Sequence, residues 1–104
     1  MRNVLLVGRA PVVVEEAERV VADDAVRLFA ATDLAQVQAA FAANSIDHVV
    51  MGAGLAIEVR LEVVREVFRL SDTTTVHMKD FASGPDGYLP FVKAVLSGVA
   101  SYSV

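Results

Sequence analysis

The chain predicts a three-layer α/β sandwich, built on a four-stranded parallel sheet of order 2-1-3-4 with helices on both faces. Three observations lead there. Strand-like and helix-like segments alternate along the whole sequence, the pattern of βα units. Two strands, Asn3-Val-Leu-Leu-Val7 and His48-Val-Val-Met51, are apolar without alternation, as strands covered on both faces are. Each then runs into glycine, Gly8 and Gly52. Right-handed crossovers leave few topologies, and this order puts the two most apolar strands in the middle.

After the first strand, Pro11 suits the first turn of a helix reaching about Ala22. Val13, Ala17, Val20 and Val21 form its inward stripe, Glu15, Glu16 and Arg19 face water, and Asp23-Asp24 ends it. Val26 to Ala31 alternates and reads as the second strand. Asp33-x-x-Gln36 is a capping-box variant opening the second helix. Leu34, Val37, Ala40 and Phe41 recur at helical spacing, and Asn44 is a suitable stop. The third strand runs from Ile46 to Met51.

The third helix, about Leu55 to Leu70, carries two apolar stripes. One is Ile57, Leu61, Val64 and Phe68; the other is Val59, Val63, Val67 and Leu70, with Arg60 between them. At about 100° per residue the two together cover roughly half the circumference, more than a helix on one sheet face needs. Glu58, Glu62, Arg65 and Arg69 hold the polar remainder. Thr74 to Met78 is the fourth strand, with Thr75 and His77 on one face and Val76 and Met78 on the other. Such a half-polar strand suits an edge. Ser83-Gly-Pro-Asp-Gly87 is a turn, and Pro90 stands in the first turn of a last helix striped by Leu89, Val92, Val95, Leu96 and Val99.

Composition narrows the function classes. Residues 1–104 are expected to form one domain. No apolar stretch reaches the roughly 18–20 residues of a membrane span, and the sequence goes straight from Met1 into a strand-like run without a signal-peptide pattern. A cytoplasmic protein without membrane partners is the expectation. With no cysteine, thiol catalysis, disulfides and Cys-ligated zinc are excluded. Two distant histidines make no metal-binding spacing, and neither metal nor cofactor is expected. A net charge of −4 without tryptophan argues against nucleic acid.

The segments Val4-Leu-Leu-Val-Gly8 and Asp47-His-Val-Val-Met-Gly52 resemble the first and third strands of response-regulator receiver domains, a flavodoxin-like family. The similarity covers about the first half of the chain. In that family the first strand ends in a pair of acids that bind magnesium, where this chain reads Gly8-Arg9, and the third ends in the phosphorylated aspartate, where it reads Gly52. Lys79 resembles the family's strand-end lysine, although no proline follows it. One strand–helix unit of a five-strand receiver is also missing. The resemblance thus implies the receiver fold without the metal pocket or the phosphoacceptor.

Two site hypotheses follow, from different classes. The excess of apolar surface on the third helix is covered either within the chain, by the neighbouring last helix, or by a second subunit; the favoured expectation is a homodimer, with Val59, Val63, Val67 and Leu70 in the interface beside the fourth strand and last helix. The chain then acts as a non-enzymatic receiver-like regulatory or interaction module. The alternative is a protein or enzyme binding a small phosphorylated or carboxylated ligand at Gly8, Arg9, Gly52, Ala53, Gly54 and Lys79, where glycines, cations and a helix start share one sheet end. Neither GxGxxG nor a P-loop is present, and glycines at such turns also serve close packing. His77, Lys79 and Asp80 can be arranged for acid–base work, but an edge-strand histidine and a turn aspartate account for them more simply, and His48 reads as a hydrogen-bonded structural imidazole.

Overall fold

The computed structural model describes residues 1–9, 13–21, 25–82 and 84–100. Pro11, the Val13 side chain, the Asp23-Asp24 stop and Ser83 lie outside the described residues. Strands β1 (Arg2–Val7), β2 (Val26–Ala31), β3 (His48–Met51) and β4 (Thr75–Met78) alternate with helices α1 (Val13–Val21), α2 (Leu34–Ala43), α3 (Ile57–Leu70) and α4 (Tyr88–Ala100), with one 3-10 turn at Pro85–Gly87. All pairings are parallel and the order is β2-β1-β3-β4, as the sequence predicts. β1 and β3 are central and their side chains are buried on both faces, apart from the first two residues of β1. β4 is an edge strand.

The two faces hold separate cores. Leu5, Val7, Val49 and Met51 pack under α2 and α3 with Val37, Val63 and Val67. Val4, Leu6 and Val50 pack under α1 and α4 with Ala17, Tyr88, Val92, Leu96 and Val99. The alternation of a strand's side chains sends neighbours to opposite layers, so continuous apolar runs are what β1 and β3 require. In α1 the expected inward Val20 is exposed, while Ala17 and Val21 turn to the sheet. The stripe there is narrower than the valine spacing suggests.

Side chains fix the joints. Asp33 caps α2 by accepting the Gln36 N–H at 2.8 Å, and Gln36 Oε1 reaches back to the N–H of Thr32 at 2.7 Å. The reciprocal bond falls one residue before the cap, a displaced capping box. Asn44 closes the helix through its N–H to Ala40 O at 3.0 Å. At the amino end of the sheet, Asp47 Oδ2 accepts the Asn3 N–H at 2.8 Å, tying the loop before β3 to β1.

Packing reverses the expectation for α3. Val63 and Val67 are 0% exposed and lie in the core beneath α3, so this chain's own sheet covers them and they are not partner-facing. Val59 is half-buried, and Leu70 is exposed at the helix end. The stripe left open is the other one: Ile57 is 45%, Leu61 52% and Phe68 52% exposed. The reason lies in Arg60, buried between the stripes. Its Nε donates to Leu55 O at 3.1 Å and its Nη1 to Lys79 O at 3.3 Å. Anchoring to the end of β4 sets the helix's rotation, so that Val63 and Val67 face the sheet.

Candidate functional site

The carboxyl ends of β1, β3 and β4 bring Gly8-Arg9, Gly52-Ala53-Gly54 and Lys79 to one side of the sheet, the position where open α/β sheets bind ligands. Three of the backbone donors at this rim are already used, while no side chain caps the start of α3. The N–H of Gly8 bonds Ala31 O at 3.2 Å, that of Gly52 bonds Val7 O at 2.9 Å, and that of Lys79 bonds Met51 O at 2.9 Å. The parallel ladder simply continues one residue past each strand. The Lys79 side chain is buried, with its Nζ donating to Asp80 O at 3.0 Å. Arg9 is exposed. A Cβ added at Gly54 would lie 3.1 Å from the Arg9 Cβ, so the loops after β1 and β3 touch there.

Tyr88, the first residue of α4, is what sequence reasoning missed. A Cβ on Gly52 would stand 3.3 Å from both Cδ1 and Cε1 of the Tyr88 ring. The phenol donates to Val50 O at 3.0 Å and lies 3.4 Å from Val7 O. Burial pushes its ionisation well above the ordinary phenol range. The ring therefore roofs the end of β3 and takes the space into which a side chain at position 52 would grow. An aromatic residue opening the last helix, combined with a glycine after a central strand, is the signal of this in the sequence.

A second polar cluster lies at the opposite end of the strands. His48 Nδ1 is 2.6 Å from Thr75 Oγ1, which is 2.9 Å from His77 Nε2. One hydroxyl has a single proton, so one imidazole accepts it while the other donates to the oxygen. Burial lowers the proton affinity of both rings; for His48 the Arg2 charge and His77 add to this, and Asp47 opposes it. The arrangement satisfies two partly buried imidazoles, the structural role expected for His48, and lies away from the glycine rim. Among the described residues no group of three or more His, Asp or Glu side chains gathers closely enough to share a metal ion, and no helix is long and apolar enough to cross a membrane.

The exposed α3 stripe has a definite setting. On the far flank of the helix, Glu66 accepts a bond from Gln38 of α2 at 3.2 Å. At about 100° per residue, Ile57, Leu61 and Phe68 lie on the flank turned away from α2, toward β4. Met78, in register with Met51, is exposed on the sheet face that α3 covers. The stripe thus adjoins a sheet edge that no further strand pairs.

Over 100% of its length the chain matches the structure titled non-phosphorylated HemR receiver domain from Leptospira biflexa, covering 98% of that chain with a TM-score of 0.57 and 16% identity. The fold is receiver-like. No family profile and no curated protein matches the sequence. Four strands in the order 2-1-3-4 with helices on both faces are the flavodoxin-like arrangement of a receiver, and in this chain Gly52 directly follows β3.

Proposed function

We propose that this receiver-like domain is a regulatory module that works by associating with a second copy of itself and not by carrying a phosphoryl group. The observation that carries the reading is the open apolar stripe of Ile57, Leu61 and Phe68 beside the unpaired β4 edge. Contiguous exposed apolar surface of this kind marks an interaction site, and a two-fold pairing buries it with one self-complementary surface.

The rim supports the second half of the proposal. Phosphoryl transfer to a protein needs a nucleophile and, in receivers, a metal to offset charge. The resemblance places those groups where this chain has Gly8, Arg9 and Gly52, and Tyr88 fills the space above Gly52. The alternative, a small anion at the rim, retains exposed Arg9 but shares the backbone donors of Gly8, Gly52 and Lys79 with the sheet.

Static light scattering across the micromolar range tests the association. The reading expects a mass that rises toward a dimer, and expects Leu61→Arg to hold the protein as a monomer that melts where the wild type melts at monomeric dilution. A wild-type monomer at every concentration would refute it. A thermal-shift panel of nucleotides and sugar phosphates examines the alternative: a hit lost in Arg9→Ala would establish ligand binding instead.

A further inference from the structure

We infer that the second copy docks antiparallel, α3 against α3, about a two-fold axis passing midway between Val63 and Val64. The inference rests on the self-association proposed above and adds its geometry. Its basis is the row of charge beside the apolar stripe. Glu58 and Glu62 occupy the amino half of the row, and Arg65 and Arg69 the carboxyl half; all four are exposed. At about 100° per residue the row runs along the outer side of Leu61 and Phe68, away from the sheet.

Within one helix the row is unfavourable in each half, although Glu62 and Arg65, three residues apart, attract across the middle. Glu58 and Glu62 are like charges four residues apart, as are Arg65 and Arg69, and such pairs repel. The helix dipole accounts for an acid in the first turn and a base in the last, but it fades beyond those turns. Glu62 and Arg65 lie near the middle of this 14-residue helix. Among the described residues, the ion pair of this row is Arg69 with Glu66, and Glu58, Glu62 and Arg65 have none.

An antiparallel copy resolves the pattern. A two-fold axis perpendicular to both helices sets each flank against the same flank of the other copy, reversed in direction. Glu62 then faces Arg65 of the second copy, and Glu58 faces Arg69, each twice per dimer. One axis serves both pairs because the acids and the bases are each four residues apart. With a rise of about 1.5 Å per residue, the same axis sets Leu61 between Val64 and Phe68 of the second copy, so the apolar stripes interlock. A partner helix must present basic charge where this one is acidic, and this chain's own α3, acidic first and basic last, does so when it runs the other way. The helix is about 21 Å long, so the contact is at the small end of specific interfaces and the dimer is reversible.

Two single charge reversals of the full-length chain, Glu62→Arg and Arg65→Glu, test the register by sedimentation equilibrium, alone and mixed. Each alone places like charges opposite each other twice per dimer, and should weaken dimerisation about tenfold. Mixed in equal amounts they restore every pairing, and so should form a heterodimer at wild-type strength, as should the double variant as a homodimer. If the wild type dimerises and the single reversals do so equally well, or the mixture is no tighter than its components, the antiparallel register is wrong while self-association stands. If the wild type never dimerises, both fall. These side chains are exposed, and melting temperatures equal to that of the wild type at monomeric dilution verify that the variants fold.

Discussion

Adding one methyl group to each of two glycines should have opposite effects, because Tyr88 stands over one of them. Neither Gly8 nor Gly52 has a positive φ, which among the described glycines belongs to Gly84. Alanine is therefore accessible to both without backbone strain, and it restricts the unfolded chain, a gain of about 0.4–1 kcal/mol. At Gly8 a Cβ meets nothing within 4 Å, so Gly8→Ala should stabilise by about that amount. At Gly52 the new Cβ arrives 3.3 Å from two ring carbons of Tyr88, tighter than ordinary contact. The ring cannot yield freely, since its hydroxyl is bonded to Val50 O at 3.0 Å. Overpacking of this kind costs about 1–3 kcal/mol, leaving Gly52→Ala destabilised by up to about 2.6 kcal/mol after the unfolded-state gain, and about 1–3 kcal/mol less stable than Gly8→Ala. Removing the ring with Tyr88→Leu is itself destabilising, but in that background Gly52→Ala should turn neutral or stabilising. Urea unfolding of the four members of this cycle should then give a coupling of about 1–3 kcal/mol. A Gly52→Ala protein as stable as Gly8→Ala would show that Tyr88 does not roof the strand end, and the argument for a closed rim would fail with it.

Three further outcomes are expected. The imidazoles of His48 and His77 bind protons less readily folded than unfolded, so as pH drops below about 6.5 the unfolded chain takes up protons first. Their contribution is fully present above that pH and is lost as pH falls through the folded values; urea midpoints at acid and neutral pH should show it, and His77→Gln should reduce the difference. Val67→Ala opens space in the core and should cost roughly 1.5–3 kcal/mol in chemical unfolding, whereas Leu61→Ala, on the exposed stripe, should stay within about 0.5 kcal/mol when measured on the monomer; equal costs would contradict the placement of α3. Asp33→Ala removes the bond to the Gln36 N–H and should cost about 1 kcal/mol, read as a lower urea midpoint.

Much of the fold is legible because it rests on periods of 2 and 3.6. The uninterrupted Val49-Val-Met51 run marks a central strand, Thr75 and His77 mark an edge, and Asp33 and Asn44 bound α2 where they stand. The orientation of α3 was harder to read, since both of its stripes have helical spacing. Its charged row offered a signal: at about 100° per residue, Glu58, Glu62, Arg65 and Arg69 centre nearly opposite Val67. Arg60 obscured it, because a buried guanidinium is unexpected until its carbonyl partners on Leu55 and Lys79 are seen. The rim was legible as a set of residues but not as a closed surface. Whether a glycine leaves room for a ligand or for a neighbour depends on a contact between positions 52 and 88 that no local pattern encodes. Tyr88 decides it.

Light scattering with and without acetyl phosphate and magnesium tests the central claim most directly, since one experiment reads both association and its independence of phosphorylation. The account predicts a mass that grows with protein concentration toward a dimer and is the same under both conditions. A monomer throughout, or a dimer that forms only with the phosphoryl donor, would contradict it.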